Sequence, residues 1–251
     1  MTLPTLIANY QKHVWVNQLK KSVSVLSQGF TTMMGHDGVT ELENTYAFSG
    51  MTGSSTGFAN VIPNNIELSA CDPRNILTND CRSIKEGLES VFSGIKFTPC
   101  GESQVIKYLN GSNATSRYAR NSNYTCIEFP DGSEIFSYVF WTPTAMRNTS
   151  TADKDYSYIK LYGQMNIDIN GAKNPNTWGR DVFLLYINRS GTAIGSGSQA
   201  LCRDNSRKST PYVCGNHWSK DTANDIIRCT STNVLGMGCT GRVLEEDAMN
   251  Y

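Results

Sequence analysis

The chain has 251 residues, enough for one large domain or two modest ones. Its 22 basic and 22 acidic residues balance without a strong run of either sign, which argues against nucleic acid as a partner. Eight cysteines accompany only three histidines, which lie far apart, and no C-x-x-C spacing occurs. A zinc site is therefore poorly supported.

The segment from Thr2 to Met34 is predicted to form one helix of about 45–50 Å. Its apolar residues fall on two stripes, related by a rotation of roughly 170° about the helix axis. This pattern fits a helix that packs one end on its own domain and offers the opposite face of its other end elsewhere; it fits equally a helix that bridges two packed neighbours in a single bundle. The first stripe is Leu3, Leu6, Ile7, Tyr10 and Val14; the second stripe is Val16, Leu19, Val23, Leu26, Phe30, Met33 and Met34.

After this helix, Gly35 and Gly38 act as helix breakers, and the stretch 39–70 is rich in small polar residues and predicted to be irregular. We find no internal repeat and no convincing linker. We therefore predict one domain with a protruding helix, in which residues 1–34 form the helix and residues 35–251 the globular headgroup.

Further elements follow along the chain. A short helix is expected between Cys81 and Thr98, where apolar residues have helical spacing. An antiparallel sheet of about four strands is expected next, beginning with a hairpin about Pro130-Asp131-Gly132. An N-terminal helix followed by such a sheet is an α+β arrangement. The expected strands are 124–129, 134–141, 156–169 and 182–188, followed by a short helix at 221–228 and an edge strand at 242–244.

The even number of cysteines, in polar loop-like surroundings, indicates disulfide bonds and an oxidising compartment. Eight cysteines allow 105 connectivities, so the pairing is not deduced from the sequence. Our guess at it prefers pairs of cysteines that close short loops. No basic region followed by an apolar one is found at Met1, and we expect the start to be truncated. The preferred pairs are Cys71–Cys81, Cys100–Cys126, Cys202–Cys214 and Cys229–Cys239.

One loop carries candidate metal ligands. Asp168 and Asn170 place two side-chain oxygens two residues apart, Gly171 permits a sharp turn, and Asp181 could complete a set of hard ligands for calcium. The segment lacks the spacing and the bidentate glutamate of an EF-hand. In the alternative interpretation, Asp168 and Asn170 cap backbone amides as Asx-turns.

Catalysis is not expected. Gly53-Ser54-Ser55-Thr56-Gly57 matches the G-x-S-x-G pattern, with Ser55 as its serine, but no strand precedes it and no helix clearly follows. The histidines stand alone, and no carboxylate pair has a spacing that indicates acid–base chemistry. We therefore predict that the protein is not an enzyme.

Three segments together resemble the bacterial type IV pilins and type II secretion pseudopilins. They are Leu3 to Lys12 with Leu19 to Ser22, Asp168 to Phe183, and Gly238 to Val243 with the ending Met249-Asn250-Tyr251. The basic leader, cleavage-site glycine and glutamate-bearing apolar stretch of that family are not in this chain. The resemblance implies that they would precede Met1.

The resemblance implies a pilin-like α+β fold with disulfide-closed loops, in which the long helix packs on the sheet. It implies a structural subunit of a type IV pilus or a secretion pseudopilus. The first stripe, with Leu3, Ile7, Tyr10 and Val14, would form the filament interface, and the second would pack on the sheet. Expected partners are other pilin subunits and the inner-membrane assembly machinery.

The resemblance also implies a location on the bacterial surface or in an extracellular filament, with membrane anchoring before assembly. An alternative function is an exported adhesion module for which the helix is only an anchor. In that case the loops 39–70 and 191–228 would carry recognition.

Overall fold

The computed structural model begins with a 35-residue helix, α1 (Leu3–Asp37), which confirms the predicted long helix. It runs three residues beyond the predicted end and stops before Gly38, whose φ of +67° is a left-handed conformation that glycine adopts readily. The structure describes residues 3–52, 70–101, 105–115, 119–141, 161–171, 173–198, 229–231 and 234–251.

Three shorter helices follow: α2 (Tyr46–Ser49), α3 (Arg82–Val91) and α4 (Cys239–Glu246). Two single-turn 3-10 helices precede α2 and α3, at Leu42–Asn44 and Asn79–Cys81. The short helix predicted between Cys81 and Thr98 is therefore confirmed as α3. The predicted helix at 221–228 lies outside the described residues.

The sheet contains seven antiparallel strands. Six of them form a continuous path in chain order from β2 to β7, and β1 pairs with the far end of β4, beyond the β3 pairing. The strands are β1 (Ala70–Cys71), β2 (Lys96–Pro99), β3 (Thr125–Glu128), β4 (Glu134–Trp141), β5 (Leu161–Asp168), β6 (Val182–Asn188) and β7 (Ala193–Gly195).

The α+β class, the long helix and the β3–β4 hairpin agree with the sequence predictions, as do β5 and β6. Strands β1, β2 and β7 were not predicted, because segments of two to four residues are too short for alternation to be seen. Strand β3 is equally short, but the turn signal Pro130-Asp131-Gly132 identified it as one arm of a hairpin. The edge strand predicted at 242–244 is wrong, since these residues lie inside α4. There Val243 is buried and Arg242 pairs with Glu246, the i,i+4 spacing of a helix.

Helix α1 packs on the sheet through the second stripe. Six of its seven side chains are buried, and Val23 is half-buried against the same core. Each fully buried leucine or phenylalanine contributes about 1.5–3 kcal/mol, so the stripe holds the helix firmly in place. The Ser27 hydroxyl also accepts a hydrogen bond from the backbone N–H of Ala193 at 3.0 Å, which ties α1 to β7.

The other face of the sheet is also covered. Phe136 and Val139 of β4 join a second apolar cluster with Trp178, Leu184 and Met237. Nearly every residue of β6 is consequently buried, which explains its unbroken apolar sequence. The segment 105–109 supplies part of this cover by hydrogen bonding to backbone groups of Asn176, Trp178 and Leu235.

Three of the four expected disulfides are present in the described structure: Cys71–Cys81, Cys100–Cys126 and Cys229–Cys239. The fourth predicted pair, Cys202–Cys214, lies outside the described residues. Across the ranges that the structure describes, no helix combines the length and the apolar character needed to cross a membrane.

Candidate functional site

The first stripe of α1 is exposed. Leu3 and Tyr10 are each 71% exposed, and Leu6 and Ile7 are each 56% exposed, while Val14 is half-buried. Scattered exposed leucines are ordinary on a protein surface, but four large apolar side chains in one row on a helix indicate an interaction surface. The first stripe is thus the part of the described chain that most resembles an interface without its partner.

The change from exposed to buried face takes place where the C-terminal tail contacts α1. Lys12 Nζ donates a hydrogen bond to the carbonyl oxygen of Met249 at 3.0 Å, and Lys20 forms an ion pair with Asp247 at 2.5 Å. Between these contacts, Trp15 and Val16 are buried, so Trp15 belongs to the docked part of the helix. The tail therefore contacts the helix at the step between the two stripes.

A second candidate site lies at one end of the sheet. The pairing register places Glu134, the first residue of β4, opposite Asp168, the last residue of β5. Asp181 immediately precedes β6, whose first residue pairs with Asp168. We call Glu134, Asp168 and Asp181 the acidic edge. All three side chains are buried, so their charges require compensation within the protein.

Arg120 supplies that compensation. Its Nη1 donates to Glu134 at 2.5 Å and its Nη2 donates to Asp168 at 3.0 Å, and only 4% of its side chain is exposed. The guanidinium also lies over the ring of Phe136, with 5.4 Å between its central carbon and the ring centroid. The Cys100–Cys126 disulfide closes the loop that carries Arg120.

The surroundings shift the acidity of the carboxyl groups. Burial, with a smaller contribution from the charge of Asp181, raises the pKa of Asp168 to about 8, although Arg120 acts in the opposite direction. Burial also raises the pKa of Asp181, against the backbone hydrogen bonds from Thr177 and Asn176. At neutral pH, Asp168 therefore holds a proton more readily than an ordinary aspartate.

The structure brings the three predicted calcium ligands into one region. In addition, backbone N–H groups of the protein donate hydrogen bonds to the two carboxylates. The Asn170 N–H donates to Asp168 at 3.2 Å, the contact expected of an Asx-turn. The N–H groups of Asn176 and Thr177 donate to Asp181 at 2.8 and 2.7 Å. These hydrogen bonds, and the ion pair between Arg120 and Asp168, stabilise within the protein the carboxylates that a calcium ion would otherwise contact. Calcium at Asp168, Asn170 and Asp181 thus stays a prediction.

Among the described residues, one group of side chains has atoms close enough to share a metal ion: Cys100, Cys126 and Glu134. The two cysteines form a disulfide, so they do not offer the thiolates that a metal requires. This group is therefore not a metal site. The side-chain oxygen of Asn170 is buried and accepts no hydrogen bond from any described residue.

Sequence reasoning missed Arg120, Glu134 and Asn176 as members of this site. Arg120 occurs in a polar loop with no motif around it, and it meets Asp168 from 48 residues away. Asn176 adopts a left-handed backbone conformation, with a φ of +49°. When its side-chain amide is oriented so that both its oxygen and its nitrogen have suitable hydrogen-bond partners, the nitrogen donates to Asp168 at 2.9 Å. One signal in the sequence could have identified Glu134 as a member of this site: it is an acidic residue at the first position of an otherwise apolar strand.

The remaining predicted positions are not described. Ser55 and most of the loops proposed for recognition lie outside the described residues. Comparison of the chain with protein-family models, with curated proteins and with solved structures finds no match.

Proposed function

We propose that this protein is a structural subunit of a pilin-like filament, a type IV pilus or a type II secretion pseudopilus, and that it assembles through its N-terminal helix. The observation that carries the proposal is the division of α1 into an exposed first stripe and a buried second stripe. A helix needs only one apolar stripe to pack on its own domain. The other stripe is then available to neighbouring subunits.

The headgroup supports the same function. Two apolar layers and disulfide-closed loops make a rigid body on which α1 is held by its second stripe and by the tail contacts of Lys12 and Lys20. A subunit of this kind transmits force through the filament without needing a catalytic centre. The proposed partners are other pilin subunits, and the proposed location is the cell surface or an extracellular filament.

The test compares one substitution in each stripe. Ile7→Asp places a charge on the exposed stripe, and we expect an unchanged melting temperature for the purified chain. In cells that produce the protein natively, we expect filaments sheared from the surface to fall at least tenfold. Leu26→Asp buries a charge in the core and should lower the melting temperature itself.

Two outcomes would contradict the proposal. If Ile7→Asp assembled as well as the original protein, the first stripe would not be an assembly surface. If both substitutions lowered the melting temperature equally, α1 would not have two faces with different roles. A matched control is Asn9→Asp, which adds the same charge on the exposed part of α1, on the side of the helix away from the first stripe.

A further inference from the structure

A groove runs between α1, the end of α3 and the turn of the β3–β4 hairpin, with a volume of about 370 Å³. On one side it is lined by α1, and on the other by Val91 to Ser93 and Phe129 to Asp131. The α1 residues that line it are Lys21, Val25, Gln28, Gly29 and Thr32.

Aromatic side chains form an apolar floor for this groove. Phe92 packs edge-to-face between Phe30 and Phe129, with centroid distances of 5.8 and 5.7 Å. Gly29 permits this arrangement, because a Cβ at that position would lie 2.2 Å from the Phe92 ring. The rim is polar, and an ion pair between Lys21 and Asp131 at 2.8 Å closes one end.

The groove and the first stripe lie on the same face of α1. At about 100° per residue, Lys21, Val25, Gln28 and Thr32 fall within the angular range of the first stripe. All four are exposed, and Val25 is 37% exposed although it is apolar. The surface proposed for assembly therefore does not stop at Val14 but continues along the helix into the groove.

We propose that the groove of one copy of this chain receives the first stripe of a second copy. Tyr10 suits such a site, because its ring can pack on the Phe92 floor while its hydroxyl reaches the polar rim formed by Lys21, Asp131 and Gln28. The midpoints of the first stripe and of the groove lie about 20 residues apart along the helix, or about 30 Å. This inference rests on the proposed filament function.

The contact would be heterologous, since a stripe on one copy meets a groove on the next. One copy then keeps its own stripe free and the other keeps its own groove free, so each can bind a further neighbour, and such contacts extend into an open filament when the rotation does not close a ring. Successive copies would be displaced by about 30 Å along α1, with their outer faces turned toward a common axis.

Photo-crosslinking tests the inference in cells that produce the protein natively. Val25 is replaced by the photoreactive residue p-benzoylphenylalanine, and the covalent dimers are digested and mapped by mass spectrometry. We expect the crosslink to join Val25 to a residue between 3 and 14 of the second copy. The matched control places the same probe at Thr31, exposed on α1 outside the groove, and should give at least tenfold fewer such dimers.

Two failures are distinguishable. If the probe at Val25 gives no dimers or joins a different region, while the same probe at Ile7 gives dimers, the groove is not the receiving site and the proposed function stands. If neither position gives dimers, both the inference and the proposed function are overturned. As a second measurement, Val25→Glu should lower the yield of Ile7 crosslinks tenfold without changing the melting temperature, whereas Thr31→Glu should change neither.

Discussion

Replacing Arg120 with methionine removes the single cation that the described structure places within the acidic edge. The side chain is 4% exposed, and its nitrogens lie 2.5 Å from Glu134 and 3.0 Å from Asp168. Methionine retains an apolar side chain but leaves the Glu134 carboxylate buried without a partner. Breaking a buried ion pair costs about 3–5 kcal/mol. We expect about 3 kcal/mol, because Asp168 already tends to hold a proton at neutral pH.

The assay is urea denaturation at pH 7, followed by circular dichroism, together with a thermal melt. For a chain of this size, a loss of about 3 kcal/mol corresponds to a fall of about 6–12 °C in melting temperature. The control is Lys20→Met, which removes an ion pair of the same 2.5 Å length but with side chains that are 44% and 63% exposed. Surface pairs contribute about 0–1 kcal/mol, so this variant should barely differ from the original.

A double variant separates the ion pair from the packing. Arg120→Met combined with Glu134→Met removes both charges, and apolar replacements of buried pairs are often neutral or stabilising. We therefore expect the double variant to recover most of the stability that Arg120→Met loses. If Arg120→Met cost no more than Lys20→Met, burial would not govern the strength of this pair and the interpretation of the acidic edge would be refuted.

Three further predictions concern pH, packing and calcium. Burial raises the pKa of Asp168 from 3.8 to about 8, so the native state keeps a proton that the unfolded chain releases near pH 4. The free energy of unfolding should therefore fall as the pH rises from about 4 to about 8. In thermal melts, Asp168→Asn should reduce this pH dependence. Gly29→Ala should lower the free energy of unfolding in urea by about 1–3 kcal/mol, because the added Cβ forces the Phe92 ring away from α1. The control is Gly35→Ala in the same helix, where the added Cβ meets open space. This variant should be neutral or stabilising by up to about 1 kcal/mol. A calcium site at Asp168, Asn170 and Asp181 with a dissociation constant of about 0.1 mM would add about 1.4 kcal/mol of stability at 1 mM calcium. If a chelator failed to lower the melting temperature under these conditions, the calcium prediction would be contradicted.

The elements that were predicted well have patterns longer than a few residues. Helix α1 repeats its apolar residues over nine turns, and the β3–β4 hairpin surrounds Pro130-Asp131-Gly132 with two apolar runs. Short elements carry no such pattern, which is why β1, β2 and β7 were missed. The segment 242–244 failed for a related reason, since three residues fit either a strand or a helix until their neighbours pack.

The sequence predicted some residues of the acidic edge and missed others, because only contacts between residues close in the chain leave a local pattern. Asp168 and Asp181 were identified as candidate ligands because oxygen-bearing residues cluster near Gly171 along the chain. Their partner Arg120 could not be identified, because a hydrogen bond between residues 48 apart depends on where loops close and how strands pair. The disulfides were easier, since a preference for short closures selected three pairs that the structure contains.

The sequence by itself determined that α1 has two faces, because helical periodicity is local and the rotation between the stripes follows from residue spacing alone. It also determined the α+β class through the order of its longer elements. Only the tertiary structure decided that Arg120 neutralises the acidic edge and that Val25 and Phe92 line a groove beside the first stripe. Those features depend on strand register and helix packing, which bring together residues that are distant in the chain.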